Sequence, residues 1–265
     1  MNTLDHEILS MMRFASERAL MPRWRNLAKS EIVEKEPGDL VTVADREIEQ
    51  FLTDALRTLA EDVAVVGEEA VHADPEVAKA LSGPCWIIDP LDGTHNFASG
   101  EGPFGIMIAL ADAGETLAGW IYDPREDRLC HARKGEGAFI NGERVSARET
   151  GEEPPIAAIS QIFLDDAERE ATKAKLADHY RMVDIPRCAA EQYPRLALGT
   201  NDVSVFKRTL AWDHAAGTLW LNEAGGKCAR PDGSPYRVDE HDKPGLIGAS
   251  SPRLWDELAA RLAGF

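Results

Sequence analysis

Apolar residues recur at helical spacing in two stretches near the start of the chain. Residues 3–28 carry an apolar residue every three or four positions and therefore predict an amphipathic helix. Its apolar positions are Leu4, Ile8, Met11, Met12, Ala15, Ala19 and Leu20. A second amphipathic helix is predicted over 45–60. Its apolar face consists of Ile48, Phe51, Leu52, Leu56 and Leu59. The segment EKEPGD at 34–39 is predicted to be a loop.

Short apolar runs follow and predict strands. Residues 63–66 predict a strand that ends at Gly67, and CWIID at 85–89 predicts a buried strand. Between them, residues 75–81 predict a helix. From 104 to 145 the apolar runs are brief and are broken by Gly, Asp and Pro, which is typical of an antiparallel meander.

Strands and helices alternate in the remainder of the chain. The segment TGEEPP at 150–155 is the best linker candidate, so we expect two subdomains, 1–149 and 150–265. The predicted strands cover 156–161, 182–185, 202–206 and 246–250. The predicted helices cover 165–178, 189–198, 213–223 and 252–263. The first half is then α+β and the second α/β, with helix layers between sheets.

The charge of the chain restricts its partners. Of the 265 residues, 28% are charged, and the formal net charge is −17. A surface this acidic repels the phosphates of nucleic acids, so we expect no nucleic-acid partner. An anionic substrate would need bound cations near its binding site.

The cysteines and the apolar runs predict a cytoplasmic protein. The four cysteines are far apart and form no CxxC pair, which argues against zinc and redox motifs. No apolar run approaches the roughly 20 residues that span a bilayer, so no membrane partner is expected. The first residues lack the apolar segment of a secretory signal. We therefore expect reduced thiols in the cytoplasm.

The segment DPLDGT at 89–94 is the strongest candidate for chemistry. A hydrophobic strand leads into Asp89, Pro90 is expected to end its pairing, and Asp92 follows before Gly93. Two carboxylates with a backbone carbonyl between them form an oxygen-only ligand set, which favours Mg²⁺ over zinc. Exposed amides at a helix start after Gly93 would bind an anion. An acidic turn that only caps a helix is the structural alternative.

Three further acids occur at the ends of predicted elements. Glu68 follows a strand, Asp45 begins a helix, and Asp213 begins another within WDHAAG. Taken singly, Glu68 is better explained as a solvated helix start, and Asp45 and Asp213 as N-caps. Taken together, the four acidic segments lie where catalytic crevices are usually built.

The set of motifs VTVAD (41–45), GEE (67–69), DPLDGT (89–94) and WDHAAG (212–217) resembles the inositol monophosphatase family in order and spacing. The resemblance covers nearly the whole chain. It implies the layered αβαβα sandwich of the inositol monophosphatase and fructose-1,6-bisphosphatase type. It also implies a lithium-sensitive, Mg²⁺-dependent hydrolase of small phosphate monoesters that forms a homodimer.

The same resemblance implies a role for each motif residue. The ligands implied for the first magnesium are Glu68, Asp89 and the carbonyl of Leu91. Those implied for the second are Asp89, Asp92 and Asp213. Two or three Mg²⁺ ions are expected, and Mn²⁺ could replace them. The implied catalytic residues are Glu68 with Asp45 and Thr94, of which the last two would orient and help deprotonate a water. The implied substrate contacts are Asp92, the amides of Gly93 and Thr94, Ala189 and Arg208.

The chain departs from the family pattern where the leaving group would bind. Relatives that prefer inositol phosphates carry GSAA where this chain has RCAA at 187–190, and an acid where it has Phe206. Lys207 and Arg208 could meet a second anionic group or a base, or could be solvated surface cations. His95 and His214, which flank the motif acids, are expected to pack or face solvent rather than bind metal.

Several substrates and one different class of function therefore stay open. A small sugar or polyol phosphate is the main prediction. The alternatives are a 3′(2′),5′-bisphosphate nucleotide and histidinol phosphate. A non-catalytic regulatory protein on the same fold is the hypothesis from another class.

Overall fold

Two large β-sheets, a two-stranded sheet and the helices around them make up the described part of the fold. The computed structural model describes residues 1–36, 39–162, 164–240 and 243–262. The helices are α1 (Thr3–Ala15), α2 (Val43–Leu59), α3 (Glu68–Ala73), α4 (Thr94–Ser99), α5 (Asp166–Leu176), α6 (Ala189–Ala197), α7 (Ala211–Glu223) and α8 (Pro252–Leu262). The strands up to residue 145 are β1 (Ile32–Glu36), β2 (Asp39–Thr42), β3 (Ala64–Gly67), β4 (Cys85–Asp92), β5 (Gly105–Asp112), β6 (Glu115–Asp123), β7 (Arg128–Arg133), β8 (Gly137–Ile140) and β9 (Glu143–Val145). Those after it are β10 (Ile156–Ile159), β11 (Arg181–Val183), β12 (Val203–Phe206), β13 (Lys227–Ala229) and β14 (Leu246–Ala249).

The larger sheet has seven strands in the order β3-β4-β5-β6-β7-β8-β9. Strands β3 and β4 are parallel, and every later pair is antiparallel. The meander predicted for 104–145 is therefore confirmed. The parallel β3–β4 pair matters most for function, because its two carboxyl ends meet at one edge of the sheet.

The smaller sheet has five strands in the order β11-β10-β12-β14-β13. Strand β10 runs parallel to β11 and β12, whereas β14 runs antiparallel to β12 and β13. This mixed sheet follows from the sequence alternation, since helices α5 and α6 supply the parallel crossovers.

Three hydrophobic cores lie between the layers. One lies between the larger sheet and helices α1 and α2. A second joins the opposite face of that sheet to α6 and α7, and a third lies between the smaller sheet and α8. Helix α7 approaches closely because Gly217 lies against the ring of Tyr193, where a side chain would collide. The αβαβα layering expected from the resemblance is confirmed by this arrangement.

The first predicted helix ends earlier than its apolar pattern suggested. Residues 3–28 were expected to be helical, but α1 ends at Ala15, a π-helical turn follows over Ser16–Leu20, and turns replace the helix beyond it. Pro22, which donates no backbone hydrogen bond, lies just beyond the π-helical turn, and no regular helix continues past it. The predicted apolar positions from Ile8 to Leu20 are nevertheless buried, except for the partly buried Met11, and Leu4 is partly buried as well.

Strand β4 was expected to end at Pro90, and this was wrong. Pairing resumes at Asp92 opposite Gly105 after a register irregularity between Asp89 and Asp92. Proline removes one ladder bond without ending a strand where a bulge absorbs the extra residue. The bulge changes the direction of the backbone between Asp89 and Asp92.

Four smaller elements also differ from the sequence prediction. The segment predicted as a loop over 34–39 contributes to the β1–β2 hairpin, and its residues 37–38 lie outside the described residues. The helix predicted over 75–81 is a 3₁₀ segment, Pro75–Ser82, and the short helix α3 before it was missed. Strand β13 was also missed. The last helix ends at Leu262, and residue 263 of its predicted range is not described.

The predicted boundary between residues 149 and 150 stays a prediction. The segment around it is tied to the smaller sheet, because the amides of Thr150 and Ile156 both donate to the buried Asp202 carboxylate at 2.8 Å. Among the described helices, none is long and apolar enough to cross a membrane.

Candidate active site

The turn after β4 brings the DPLDGT segment to the mouth of a cavity. Gly93 has a left-handed backbone with φ of 84°, and it precedes the first residue of α4. A Cβ at this position would lie 2.9 Å from the carbonyl oxygen of Pro103, so only glycine fits the turn. The predicted short helix after Gly93 is confirmed. This turn allows Asp92 and Thr94, on either side of Gly93, to line the same cavity.

Asp89 lies at the centre of a cluster of carboxyl groups. Its side chain is buried, and its Oδ1 accepts a hydrogen bond of 3.0 Å from the amide of Leu91. Burial and then the negative charges of Glu68, Asp92 and Asp213 raise the pKa of Asp89 well above its usual value. The structure therefore brings together four acids from distant sequence positions.

Glu68 owes its position to a neighbouring acid that the sequence did not single out. The buried Glu49 of α2 accepts hydrogen bonds from the amides of Glu69 and Ala70, at 2.8 and 2.7 Å, and so caps the start of α3. Gly67 leaves room for this carboxylate, which a side chain there would overlap. Glu68 is then the first residue of α3 and lines the cavity.

Asp45 and Thr94 form a contact that joins α2 to the turn. The hydroxyl of Thr94 lies 3.2 Å from Asp45 Oδ1 and 2.8 Å from the carbonyl oxygen of Leu91. The other oxygen of Asp45 accepts the amide and hydroxyl of Thr42, at 2.7 and 2.5 Å. Thr42 is the N-cap and Asp45 completes its capping box, so the alternative interpretation of Asp45 as the N-cap was wrong. One carboxylate thus serves both the helix start and Thr94.

Burial shifts the acidity of Asp45. Desolvation is the largest cause and raises its pKa to about 7, while hydrogen bonds from Thr42 act in the opposite direction. The charge of Glu69 adds to the increase. Such a carboxyl group can take up or release a proton near neutral pH.

The second half of the chain contacts Asp92 through the start of α6. The amide of Ala190 donates to Asp92 Oδ2 at 2.6 Å, and the Cys188 thiol lies 3.0 Å from the same oxygen. Burial raises the pKa of Asp92, and these donors partly oppose the increase. Ala189, predicted as a substrate contact, lines the cavity beside them.

Asp213 reaches the cavity from the first turn of α7. The helix begins at Ala211 and its N-cap is Leu210, so the N-cap interpretation of Asp213 was wrong. The guanidinium of Arg208, also predicted to contact substrate, lies 3.7 Å from the Asp213 carboxylate and lines the same cavity.

The two histidines beside the motifs behave as the sequence analysis expected. His214 is buried, with Nδ1 2.8 Å from the Tyr193 hydroxyl and Nε2 3.1 Å from the carbonyl oxygen of Arg208. Burial lowers its pKa to about 3, so it stays neutral. His95 lines the cavity and is exposed. Partial desolvation and then the positive charge of Arg187 lower its pKa.

Several lining residues were not predicted. They come from separate loops and strand ends, and they are Leu40, Ser160, Ile162, Ile185, Pro186 and Gln192. None belongs to a motif with its own chemistry, and only the packing of the two sheets brings them to one place. No signal in the single sequence distinguishes them from other apolar or polar loop residues.

The donor atoms fit magnesium in kind. The carboxyl groups of Glu68, Asp89, Asp92 and Asp213 and the carbonyl of Leu91 are all oxygens, which are the ligands that Mg²⁺ prefers. Within the part of the chain that the structure describes, no three His, Cys, Asp or Glu side chains are already close enough to form a metal site. Carboxylates repel one another in a buried cluster, and the raised pKa of Asp89 reflects first its burial and then this repulsion.

Comparison with known proteins identifies the family. The sequence profile described as inositol monophosphatase family matches residues 8–264. The chain belongs to the inositol monophosphatase family. Members of this family hydrolyse phosphate monoesters, so the chain is a phosphoric monoester hydrolase, and its family is generally metal-dependent.

Individual members of the inositol monophosphatase family are similar along most of their length. An inositol-1-monophosphatase of Bacillus subtilis is 34% identical over 208 residues, which cover 77% of each chain. A fructose-1,6-bisphosphatase/inositol-1-monophosphatase of Thermotoga maritima is 31% identical over 228 residues, covering 85% of this chain and 84% of its own. The crystal structure of the extragenic suppressor protein suhB from Bartonella henselae superimposes with a TM-score of 0.82 at 26% identity and covers 99% of both chains.

Proposed function

We propose that this chain is a Mg²⁺-dependent phosphomonoesterase that hydrolyses a small sugar or polyol phosphate with an activated water. The observation that carries the proposal is that Glu68, Asp89, Asp92 and Asp213 line one cavity, where burial and then the charges of the other three acids raise the pKa of Asp89. The names of the Bacillus and Thermotoga relatives support inositol and fructose phosphates as the substrate class.

The cation ligands follow from this cluster. Glu68, Asp89 and the Leu91 carbonyl would hold one Mg²⁺, and Asp89, Asp92 and Asp213 a second. When bound, Mg²⁺ neutralises the phosphate oxygens and makes a water more acidic. A third ion and replacement by Mn²⁺ are part of the same proposal.

Thr94 and Asp45 supply a path for the proton of the water. Thr94 lines the cavity, and Asp45 contacts Thr94 from behind it at 3.2 Å. The Thr94 hydroxyl can accept a hydrogen bond from a water while it lies beside the Asp45 carboxylate. Because the pKa of Asp45 is about 7, this carboxylate can hold the proton near neutral pH. Glu68, at the same cavity, would help to orient the water.

The phosphate itself would be held by the turn. The amides of Gly93 and Thr94 lie at the start of α4 and would donate to phosphate oxygens. Asp92 is held in place by the Ala190 amide at 2.6 Å, so it does not need to reorient when the substrate binds. Ala189 and Arg208 would contact the ester on the side of the leaving group.

Release of inorganic phosphate tests this function. The wild-type chain is assayed with inositol, fructose and glycerol phosphates in Mg²⁺, in Mn²⁺ and in EDTA. We expect release with either metal, none in EDTA, and a loss of at least about 10³-fold in the Asp89→Asn variant. Equal release by both proteins, or none from any ester, would favour the hypothesis of a non-catalytic regulatory protein.

The resemblance also leads us to propose a homodimer, inhibition by lithium and a cytoplasmic location. Four buried free cysteines are compatible with a reducing compartment. Light scattering on the purified chain would measure the oligomeric state, and a lithium titration of the phosphatase assay would measure the inhibition.

A further inference from the structure

Among the described side chains, the cations Arg187, Lys207 and Arg208 line the cavity, and Arg187 differs from the other two. Lys207 forms an ion pair with Glu168, whose two carboxylate oxygens lie 2.6 and 2.7 Å from the lysine Nζ. Arg208 lies beside Asp213 at 3.7 Å. Arg187 lines the cavity, is exposed, and forms no ion pair with any residue that the structure describes. On a chain of net charge −17, an exposed arginine without an acidic partner at the active site points to an anionic ligand.

The backbone around Arg187 is held in an unusual conformation. Its φ is 53°, in the left-handed region that arginine rarely adopts. The buried Asn96 of α4 donates to the carbonyl of Pro186 at 2.8 Å and reaches that of Arg187 at 3.5 Å. The next residue, Cys188, contacts Asp92. Because both neighbours are tied to the catalytic turn, the base of the Arg187 side chain has a defined place beside the phosphate site.

The same side of the cavity has an apolar wall. The ring of Phe206 stacks on Tyr193 with centroids 5.7 Å apart and meets the edge of His214 at 4.8 Å, so its orientation is fixed. Ile162 and Ile185 line the cavity with it. Such side chains cannot replace water around several hydroxyl groups, but they can contact the C–H face of a sugar ring or a base.

Building on the proposed function, we infer that the preferred substrate is a ring-bearing phosphate ester whose leaving group carries a second anionic group, with Arg187 as the residue that binds this group. Phe206 and Ile185 would contact the face of the ring. A sugar bisphosphate and a nucleoside bisphosphate share this chemistry. The two are distinguished below by parallel assays.

Matched pairs of esters test the inference. The sugar pair is fructose 1-phosphate and fructose 1,6-bisphosphate, and the nucleoside pair is adenosine 3′-phosphate and adenosine 3′,5′-bisphosphate. Values of kcat/KM are measured with Mg²⁺ for wild type, Arg187→Gln, Arg187→Lys and the control Arg57→Gln. Arg57 is exposed on α2, loses the same charge and does not line this cavity.

We expect wild type to prefer the bisphosphate in at least one pair by about tenfold or more, as a guanidinium–phosphate contact allows. Arg187→Gln should remove this preference through KM and leave the monophosphates within about threefold. Arg187→Lys should restore part of it, and Arg57→Gln should behave as wild type. The pair in which wild type prefers the bisphosphate shows whether the leaving group is a sugar or a nucleoside.

Two results would overturn the inference. One is hydrolysis of both members of each pair at equal kcat/KM. The other is an Arg187→Gln variant in which monophosphates and bisphosphates lose activity equally or not at all. In both cases the proposed phosphatase function stands. Absence of hydrolysis from every ester, polyol phosphates included, would instead contradict the proposed function and the inference with it.

Discussion

The active-site cavity has two walls of different construction. The first wall consists of the ends of β3 and β4 with the starts of α2, α3 and α4, and it carries short acidic side chains held by backbone amides and a capping box. The second wall consists of residues 185–192 and 206–213, and it carries longer side chains on loops between elements. The first wall follows the family pattern, whereas the second departs from it at residues 187–190 and at Phe206 but keeps Asp213. Under the proposed function, the first wall supplies most of the cation ligands, and the second supplies Asp213 and the contacts to the leaving group.

The sharpest comparison sets Asp89 of the first wall against Asp213 of the second. Asp89 is proposed to bind both cations and Asp213 only one. We expect kcat/KM to fall about 10³-fold or more in Asp89→Asn and about 10²-fold in Asp213→Asn. Steady-state phosphate release in saturating Mg²⁺ would measure both losses.

Both asparagine variants should fold, which makes the comparison interpretable. Asparagine matches a protonated aspartate in shape, and the raised pKa of Asp89 already favours protonation. The Oδ1 atom can still accept the Leu91 amide. A circular dichroism melt without metal should therefore show no loss of stability in Asp89→Asn. A larger loss of activity in Asp213→Asn would reverse the proposed division between the walls.

Thr94 tests whether the first wall moves a proton as well as holding cations. Removing its hydroxyl in Thr94→Ala should lower kcat by about 10²-fold, the lower end for a group in proton transfer. Thr94→Ser keeps the hydroxyl near Asp45 and should retain most of the activity. Single-turnover phosphate release would separate this step from product release. Equal rates in the alanine and serine variants would exclude the proposed relay.

Magnesium should couple the two walls. At a concentration 100 times its Kd, a ligand that binds only the folded state adds about 2.7 kcal/mol of stability, which corresponds to a rise in Tm of roughly 5–10 °C for a chain of this size. Relief of repulsion among the carboxylates is the physical cause. Differential scanning calorimetry in Mg²⁺ against NaCl of equal ionic strength would measure it. The rise should be smaller in Asp213→Asn, and an equal rise there would separate Asp213 from the cation site.

The smallest expected effect concerns Cys188 of the second wall. Its thiol lies 3.0 Å from Asp92 Oδ2, beside the stronger Ala190 amide contact. Loss of one weak hydrogen bond in Cys188→Ala should lower kcat/KM about threefold to tenfold, and Cys188→Ser should preserve it. A loss comparable to that of Thr94→Ala would mean that the second wall takes a direct part in the chemistry.

Regular elements with strong patterns were predictable from the sequence. The helix over 43–59 and the meander from β5 to β9 follow the predicted ranges closely, because the helix has a regular apolar face and the meander has short apolar runs separated by turn residues. Predictions failed where a local feature competes with the pattern. A π-helical turn follows the first helix before Pro22, and the bulge between Asp89 and Asp92 carries β4 past Pro90.

The acids of the site were predictable for a related reason. Asp45, Glu68, Asp89, Asp92 and Asp213 lie in short motifs whose turns are set by neighbouring glycines and caps, and the structure brings their segments to one cavity. The neighbouring residues that hold these acids in position were not predictable. Glu49, which holds the start of α3, lies within an ordinary helix pattern, and nothing in the sequence marks its contact with the amides of Glu69 and Ala70.

The sequence by itself determined the family, the layered fold and the acidic motifs, because each depends on local periodicity or on a short motif with its own turn geometry. Only the tertiary structure decided which basic side chains at the cavity already have an acidic neighbour and which apolar residues line the cavity. It also decided the backbone conformation in which Arg187 is held. These depend on contacts between segments that are distant in the chain. Contacts of that kind arise from the packing of one sheet against another, and a single sequence carries no local signal for them.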